Sequence, residues 1–172
     1  MTIKELTDDI SRDIVERAQR NLGATRTVNG KKRRAVASGD LKSSLTYKNR
    51  TRYNKPEVIF TTDSDKTKQY ADVVEFGRRA GARMPPIAPI KEWVKIKNIR
   101  PRSKNGGFIK ASESEIDKMV WNIARSIAKN GIKPLYYYTD AIEAVLEERG
   151  KEFEDALAQE LDAKLNLNGR SK

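Results

Sequence analysis

The 172-residue sequence predicts an α+β fold. A small antiparallel, hairpin-based β-sheet is packed by N- and C-terminal helices, with an additional helical insert at about 86–131 and long basic loops. Three observations carry this prediction. Both ends of the chain repeat apolar residues at helical spacing, β-branched runs near 45–50 and 57–62 flank a polar turn, and a proline-led middle stretch has helical periodicity of its own. The length suits one domain spanning 1–172.

At the N-terminus Ile3, Leu6, Ile10, Ile14, Ala18 and Leu22 fall on one helical stripe, and Gly23 is a natural stop. Residues 24–38 are polar and basic around the turn pair Asn29-Gly30, which predicts a mobile loop or a short hairpin. Ser38 to Leu45 opens with small polar residues able to cap a helical turn and leads into an extended stretch. Residues 45–50 and 57–62 then form an antiparallel hairpin. Tyr70 to Phe76 reads as a short helix or helical turn. Pro85, Pro86 and Pro89 confine regular structure to a first turn before a helix at about 88–98 carrying Ile90, Trp93, Val94, Ile96 and Ile99.

After a second basic loop at 101–107, Ser112-Glu-Ser-Glu115 fits a capping box opening a helix with Ile116, Met119, Val120, Ile123 and Ile127 on its apolar stripe. The last helix runs from Thr139 to about Leu165. Its expected buried side is Ile142, Val145, Leu146, Phe153, Ala156, Leu157, Leu161 and Leu165, and Gly150 is a place for a kink or partial break.

The composition narrows function. Hydrophobic residues make up 37% of the chain and charged residues 34%, so much of the surface is ionic or covered by neighbouring subunits. The absence of cysteine excludes disulfides and thiolate metal sites, and the absence of histidine removes the commonest general base and metal ligand. No phosphate-binding, zinc-binding or nucleophile motif is present. Asp63, Asp65 and Asp72 read as polar-turn chemistry. No enzyme activity, cofactor or metal is expected. With no apolar h-region at the N-terminus and no apolar run near membrane length, a soluble product made in a cytoplasm is expected.

The formal charge of +11 is unevenly spread. Nine Lys and Arg stand against Asp40 alone between Arg26 and Arg52, and seven against Glu92 between Lys91 and Lys110. Residues 139–165 reverse the balance, with nine acids against Arg149, Lys151 and Lys164. Such a chain can satisfy itself in a homo-oligomer, the acidic face of one subunit meeting the basic face of the next. The tetrad Lys31, Lys32, Arg33 and Arg34 is either a phosphate or subunit contact or a solvated loop tip.

One segment stands out, Tyr70 to Pro86, reading YADVVEFGRRAGARMPP. Tyr70, Ala71, Val74 and Phe76 are apolar or amphipathic, Glu75 interrupts them, and Gly77 lets the backbone turn into a loop with Arg78, Arg79 and Arg83 before Pro85 and Pro86. The aromatics also fit ordinary core packing. This segment resembles the "YA..vEfG" signature, followed by a basic loop and prolines, of the neck or tail-completion proteins of tailed bacteriophages. Ser38, Gly39, Leu41, Ser44 and Leu45 match a second family segment, "tG.L..Si". Residues 85–99 and 123–138 follow the family's order of an insert, then "IA..IA..GIK", then an aromatic. The resemblance spans about 38–160, with three tyrosines at 136–138 as a departure.

The resemblance implies a non-enzymatic virion protein at the head-tail junction, forming part of a homo-oligomeric ring. Its neighbours would be other neck proteins, the portal or an adaptor, or the tail tube, with transient non-specific contact to genomic DNA. Tyr70, Ala71, Val74, Glu75, Phe76, Gly77, Pro85 and Pro86 would be the assembly motif. The alternative is a basic nucleic-acid-binding protein acting outside the virion, because Lys and Arg interleave with Tyr47, Tyr53, Trp93 and Phe108.

Overall fold

The computed structural model describes residues 2–28, 31–34, 39–53, 55–102, 106–107 and 112–169. The first helix, α1 (Ile3–Gly23), opens on a capping box. Thr2 Oγ1 accepts the Glu5 N–H, and the Glu5 carboxylate accepts the Thr2 N–H. Leu6, Ile10, Ile14, Ala18 and Leu22 are buried along the expected stripe. Strands β1 (Thr25–Val28) and β2 (Lys31–Arg34) pair antiparallel, Thr25 opposite Arg34, so the segment forms a hairpin. Asn29-Gly30 and Ser38 lie outside the described residues.

A short helix, α2 (Asp40–Ser44), leads into β3 (Leu45–Arg52), which pairs with β4 (Lys55–Thr62) from Leu45–Thr62 out to Arg52–Lys55. This is the expected hairpin, lengthened at its tip. Alternation puts Leu45, Tyr47, Phe60 and Thr62 on the face toward α1, where the Tyr47 hydroxyl donates to the Asp8 carbonyl. Thr46, Lys48, Arg50, Glu57 and Ile59 fall on the other face.

The next helix, α3 (Asp65–Phe76), starts well before Tyr70. Its first buried position is polar. Thr67 is fully buried, its hydroxyl donating to Ser64 O and lying 3.0 Å from Ser44 Oγ, so a count of apolar residues misses this turn. Asp65 and Asp72 consequently sit on a helix, not in a turn.

Helices α4 (Ile87–Ile96) and α5 (Glu113–Asn130) close on each other through Ile90, Val94, Val120 and Ala124, a cluster separate from the main core. The expected capping box at Ser112 and Glu115 is formed. Lys91 bridges the two helices, 2.7 Å from Glu113 and 2.6 Å from Asp117, and its hydrogen bonds to Asp117 and Glu113 hold its ammonium above the ordinary lysine range. Trp93 and Ile96 are exposed, because α5 covers only the Ile90–Val94 side of α4.

The last helix, α6 (Tyr137–Gly169), runs unbroken through Gly150 and antiparallel to α1. Asn21 at the end of α1 donates to the Tyr137 carbonyl, while Arg149 reaches Asp9 and Asp13 nearer the start. Its hydrogen bonds to Glu152, and then to Asp9 and Asp13, raise the Arg149 pKa further. Ala141 and Val145 form the contact row, with Ile142, Phe153 and Ala156 packed beside it. Leu146, Leu157, Leu161 and Leu165 are exposed, contrary to the periodicity. α1 covers one row of α6, and because the two helices are antiparallel its first turn marks the limit of that cover, so a stripe read from spacing alone extends past it.

Tyr137 and Tyr138 plug the core above the sheet. Their rings lie 5.1 Å apart and Tyr138 packs on Phe60 at 5.4 Å. The Tyr138 hydroxyl reaches the carbonyls of Thr46 and Thr61, and the Tyr137 hydroxyl reaches Ala71 O. Burial, with the charge of nearby Glu75 adding to it, pushes both phenols well above the ordinary value of 10.0. The folded state therefore holds protons that the unfolded chain releases. This contribution to stability is complete below pH 10 and is lost as the pH rises beyond it. A phenolate titration followed by ultraviolet absorbance is expected to stay incomplete in the folded protein at a pH where the urea-unfolded chain has ionised all six tyrosines.

Candidate functional site

The segment singled out by sequence folds into a clasp between three helix ends. Glu75, in the last turn of α3, is only 4% exposed, yet it is fully engaged. One carboxylate oxygen accepts the Tyr138 N–H at 3.0 Å, and the other accepts the Thr139 N–H at 2.9 Å and the Thr139 hydroxyl at 2.7 Å. These are N–H groups of the first turn of α6, which has no partner for them within the helix. The residue just before the helix is Tyr136, with φ of +49° and no acceptor side chain to act as a cap. Glu75 supplies the cap from 63 residues away, and its charge complements the positive end of the helix dipole.

The exchange runs in both directions. Leu135 and Tyr136 donate their N–H groups to the carbonyls of Val74 and Glu75, which end α3 and lack intrahelical donors. Arg78 and Ile132 then form a two-bond antiparallel bridge, N–H to carbonyl at 2.8 and 2.9 Å, and Gly81 donates to Ala128 in α5. The residue before each bridge partner is a glycine ending a helix, Gly77 after α3 and Gly131 after α5. Both have φ of +73° with ψ near 180°, a region essentially restricted to glycine. A Cβ on Gly77 would press on the Ile132 carbonyl and on Pro134 N, and one on Gly131 would press on the Arg78 carbonyl and on Ala80 N. The two glycines let the chains approach closely enough to pair.

Ala71 is buried against the tyrosines, and Tyr70 and Val74 pack on the same core. Phe76 points away and is 65% exposed, so core packing is not its role. Arg78 is half-buried, its guanidinium donating to the Arg83 carbonyl, while Arg79 is exposed. Pro86 stands at the N-cap of α4, with Pro85 half-buried before it. Lys31, Lys32, Arg33 and Arg34 form β2, away from the clasp in sequence and in pairing. The partners Tyr138 and Thr139 were missed by sequence reading. Their only local signal is a helix start with no capping side chain before it.

Beside the clasp lies an open groove of about 490 Å³ between β4, α3 and the start of α6. Val58, Ile59, Phe60, Phe76 and Ile142 supply its apolar lining, with Lys68 and Asp72 among its polar residues. Among the described residues β4 is an edge strand, pairing with β3 alone. Among the described residues no group of acidic side chains is placed to hold a metal ion.

Replacing Glu75 by Ala is expected to destabilise the fold by about 2–4 kcal/mol, because two helix N–H groups and a hydroxyl lose their acceptor in a buried place. Glu75→Gln keeps one acceptor oxygen and should cost about half as much. Gly77→Ala and Gly131→Ala should each cost at least about 1–3 kcal/mol from backbone conformation, before the carbonyl contacts are counted. Urea unfolding of the four variants checks the order.

No protein-family model, curated protein or solved structure matches the chain, so the clasp and the groove are read on their own geometry.

Proposed function

We propose that the chain is a non-enzymatic structural subunit of the neck of a tailed bacteriophage, forming part of a homo-oligomeric ring that completes the tail or joins it to the head. The observation that carries this reading is the ordered run of motifs from Ser38 to Tyr138, centred on Tyr70 to Pro86, which resembles that family. Surface chemistry supports it. Leu157, Leu161 and Leu165 form an exposed row along α6 on a chain in which a third of the residues are charged, and a contiguous apolar row is commonly covered by a partner.

The clasp refines the motif's role. Ala71, Glu75 and Gly77 act inside the subunit, and the parts of the segment available to a neighbour are Phe76 and the loop after it. In this reading the ring meets other neck proteins, the portal or an adaptor, or the tail tube, and DNA passes it with weak, non-specific contact. Tight binding would stall the genome. Among the described residues no helix is long and apolar enough to cross a membrane.

One observation favours the second reading, a basic nucleic-acid-binding protein acting outside the virion. The outer row of β3 carries Lys48, Arg50 and Arg52, and Arg52 stacks on the exposed Tyr53 at the hairpin tip, 5.2 Å from its ring centre. Size-exclusion chromatography with negative-stain electron microscopy separates the two. Rings, or incorporation into virions, are expected. A monomer that binds DNA with nanomolar, strongly salt-dependent affinity would establish the alternative.

A further inference from the structure

Among the described residues, the distal part of α6 carries a leucine row that lies outside both apolar clusters. Beyond Ala156, the last residue of α6 packed on the core, about 20 Å of helix continues. Leu157, Leu161 and Leu165 recur there every fourth residue, 43%, 51% and 68% exposed. From Glu154 to Leu165 the sequence has four acids, Glu154, Asp155, Glu160 and Asp162, and one base, Lys164, so the arm is a leucine stripe on an acidic segment.

The groove beside the clasp has the complementary character. Its apolar lining includes the exposed Phe76 and Ile59, and Ile59 pairs across the hairpin with Lys48. The outer hairpin face next to it continues with Arg52 and Lys55 and with Arg50, which pairs with Glu57 at 3.1 Å, while Asp72 and Lys68, the latter paired with Asp65, line the groove itself. An acidic helix with one leucine face fits such a surface, the leucines entering the groove and the carboxylates meeting the basic hairpin.

The arm cannot fill the groove of its own subunit. Ile142 lines the groove, and Leu157 to Leu165 lie about 22–35 Å farther along the same continuous helix. Resting on the oligomeric reading above, we infer that the α6 arm of one copy docks into the β4–α3 groove of the next. The two surfaces are different patches on one molecule, so the contact is heterologous. Repeated around an axis it closes a ring, and unclosed it makes a filament.

The chain has no cysteine of its own, which makes disulfide trapping clean. Leu161→Cys and Phe76→Cys both replace exposed side chains. Under oxidising conditions the double variant is expected to give a ladder of covalent multimers, whereas a mixture of the two single variants stops at dimers. Covalent dimers from Leu161→Cys alone, as abundant as the products of the double variant, would show arm-to-arm pairing and overturn the inference. A second test replaces Leu157 and Leu161 by Lys. Association measured by sedimentation should weaken at least about tenfold with the far-ultraviolet circular dichroism of the folded subunit unchanged. Rings of undiminished mass in this variant would overturn the arm contact while leaving the ring reading intact. A monomeric wild-type protein would overturn both.

Discussion

The fold depends on a buried carboxylate at the junction of helices that are far apart in sequence. Glu75 ends one helix and begins another, because the same residue that closes α3 carries the acceptor for the first N–H groups of α6. Burying a carboxylate is costly unless its oxygens are occupied by donors. Here three donors occupy them, and in exchange the α6 N–H groups need no water. The reciprocal bonds from Leu135 and Tyr136 to the α3 carbonyls make the junction a closed set of donors and acceptors. The direction in which α6 leaves the body follows from it.

That direction decides what the long helix can do. Held at its start by Glu75 and Asn21 and along its middle by Arg149, α6 lies antiparallel to α1 and outruns it. The same junction sets Phe76 outward at the edge of the groove, one residue after the buried carboxylate. Alternation between an inward acid and an outward aromatic reverses what hydrophobicity suggests. It is stable because helix N–H groups are better partners for the carboxylate than solvent would be once the site is closed.

The insert is attached through the same place. Gly77 and Gly131 end α3 and α5 in matching conformations, and the Arg78–Ile132 bridge between them joins the main core to the small apolar cluster of α4 and α5. A motif noticed for its similarity to assembly proteins therefore has its first role in organising the subunit. Any role toward neighbours passes through what the clasp leaves outside.

Local chemistry alone determined the element order, the capping box at Ser112, the β3–β4 hairpin and the apolar rows of α1 and α5, because each depends on residues within a few positions of one another. It also singled out Tyr70 to Pro86 and the need for glycine at Gly77. The partner of Glu75, the buried Thr67 that starts α3 early, and the division of α6 into a covered half and an exposed arm were decided by tertiary structure. Each depends on what lies across space: a helix start arriving from Tyr138, a hydroxyl from Ser44, and the point where α1 begins. Spacing in a sequence records which residues share a face, and only packing decides whether that face has a cover.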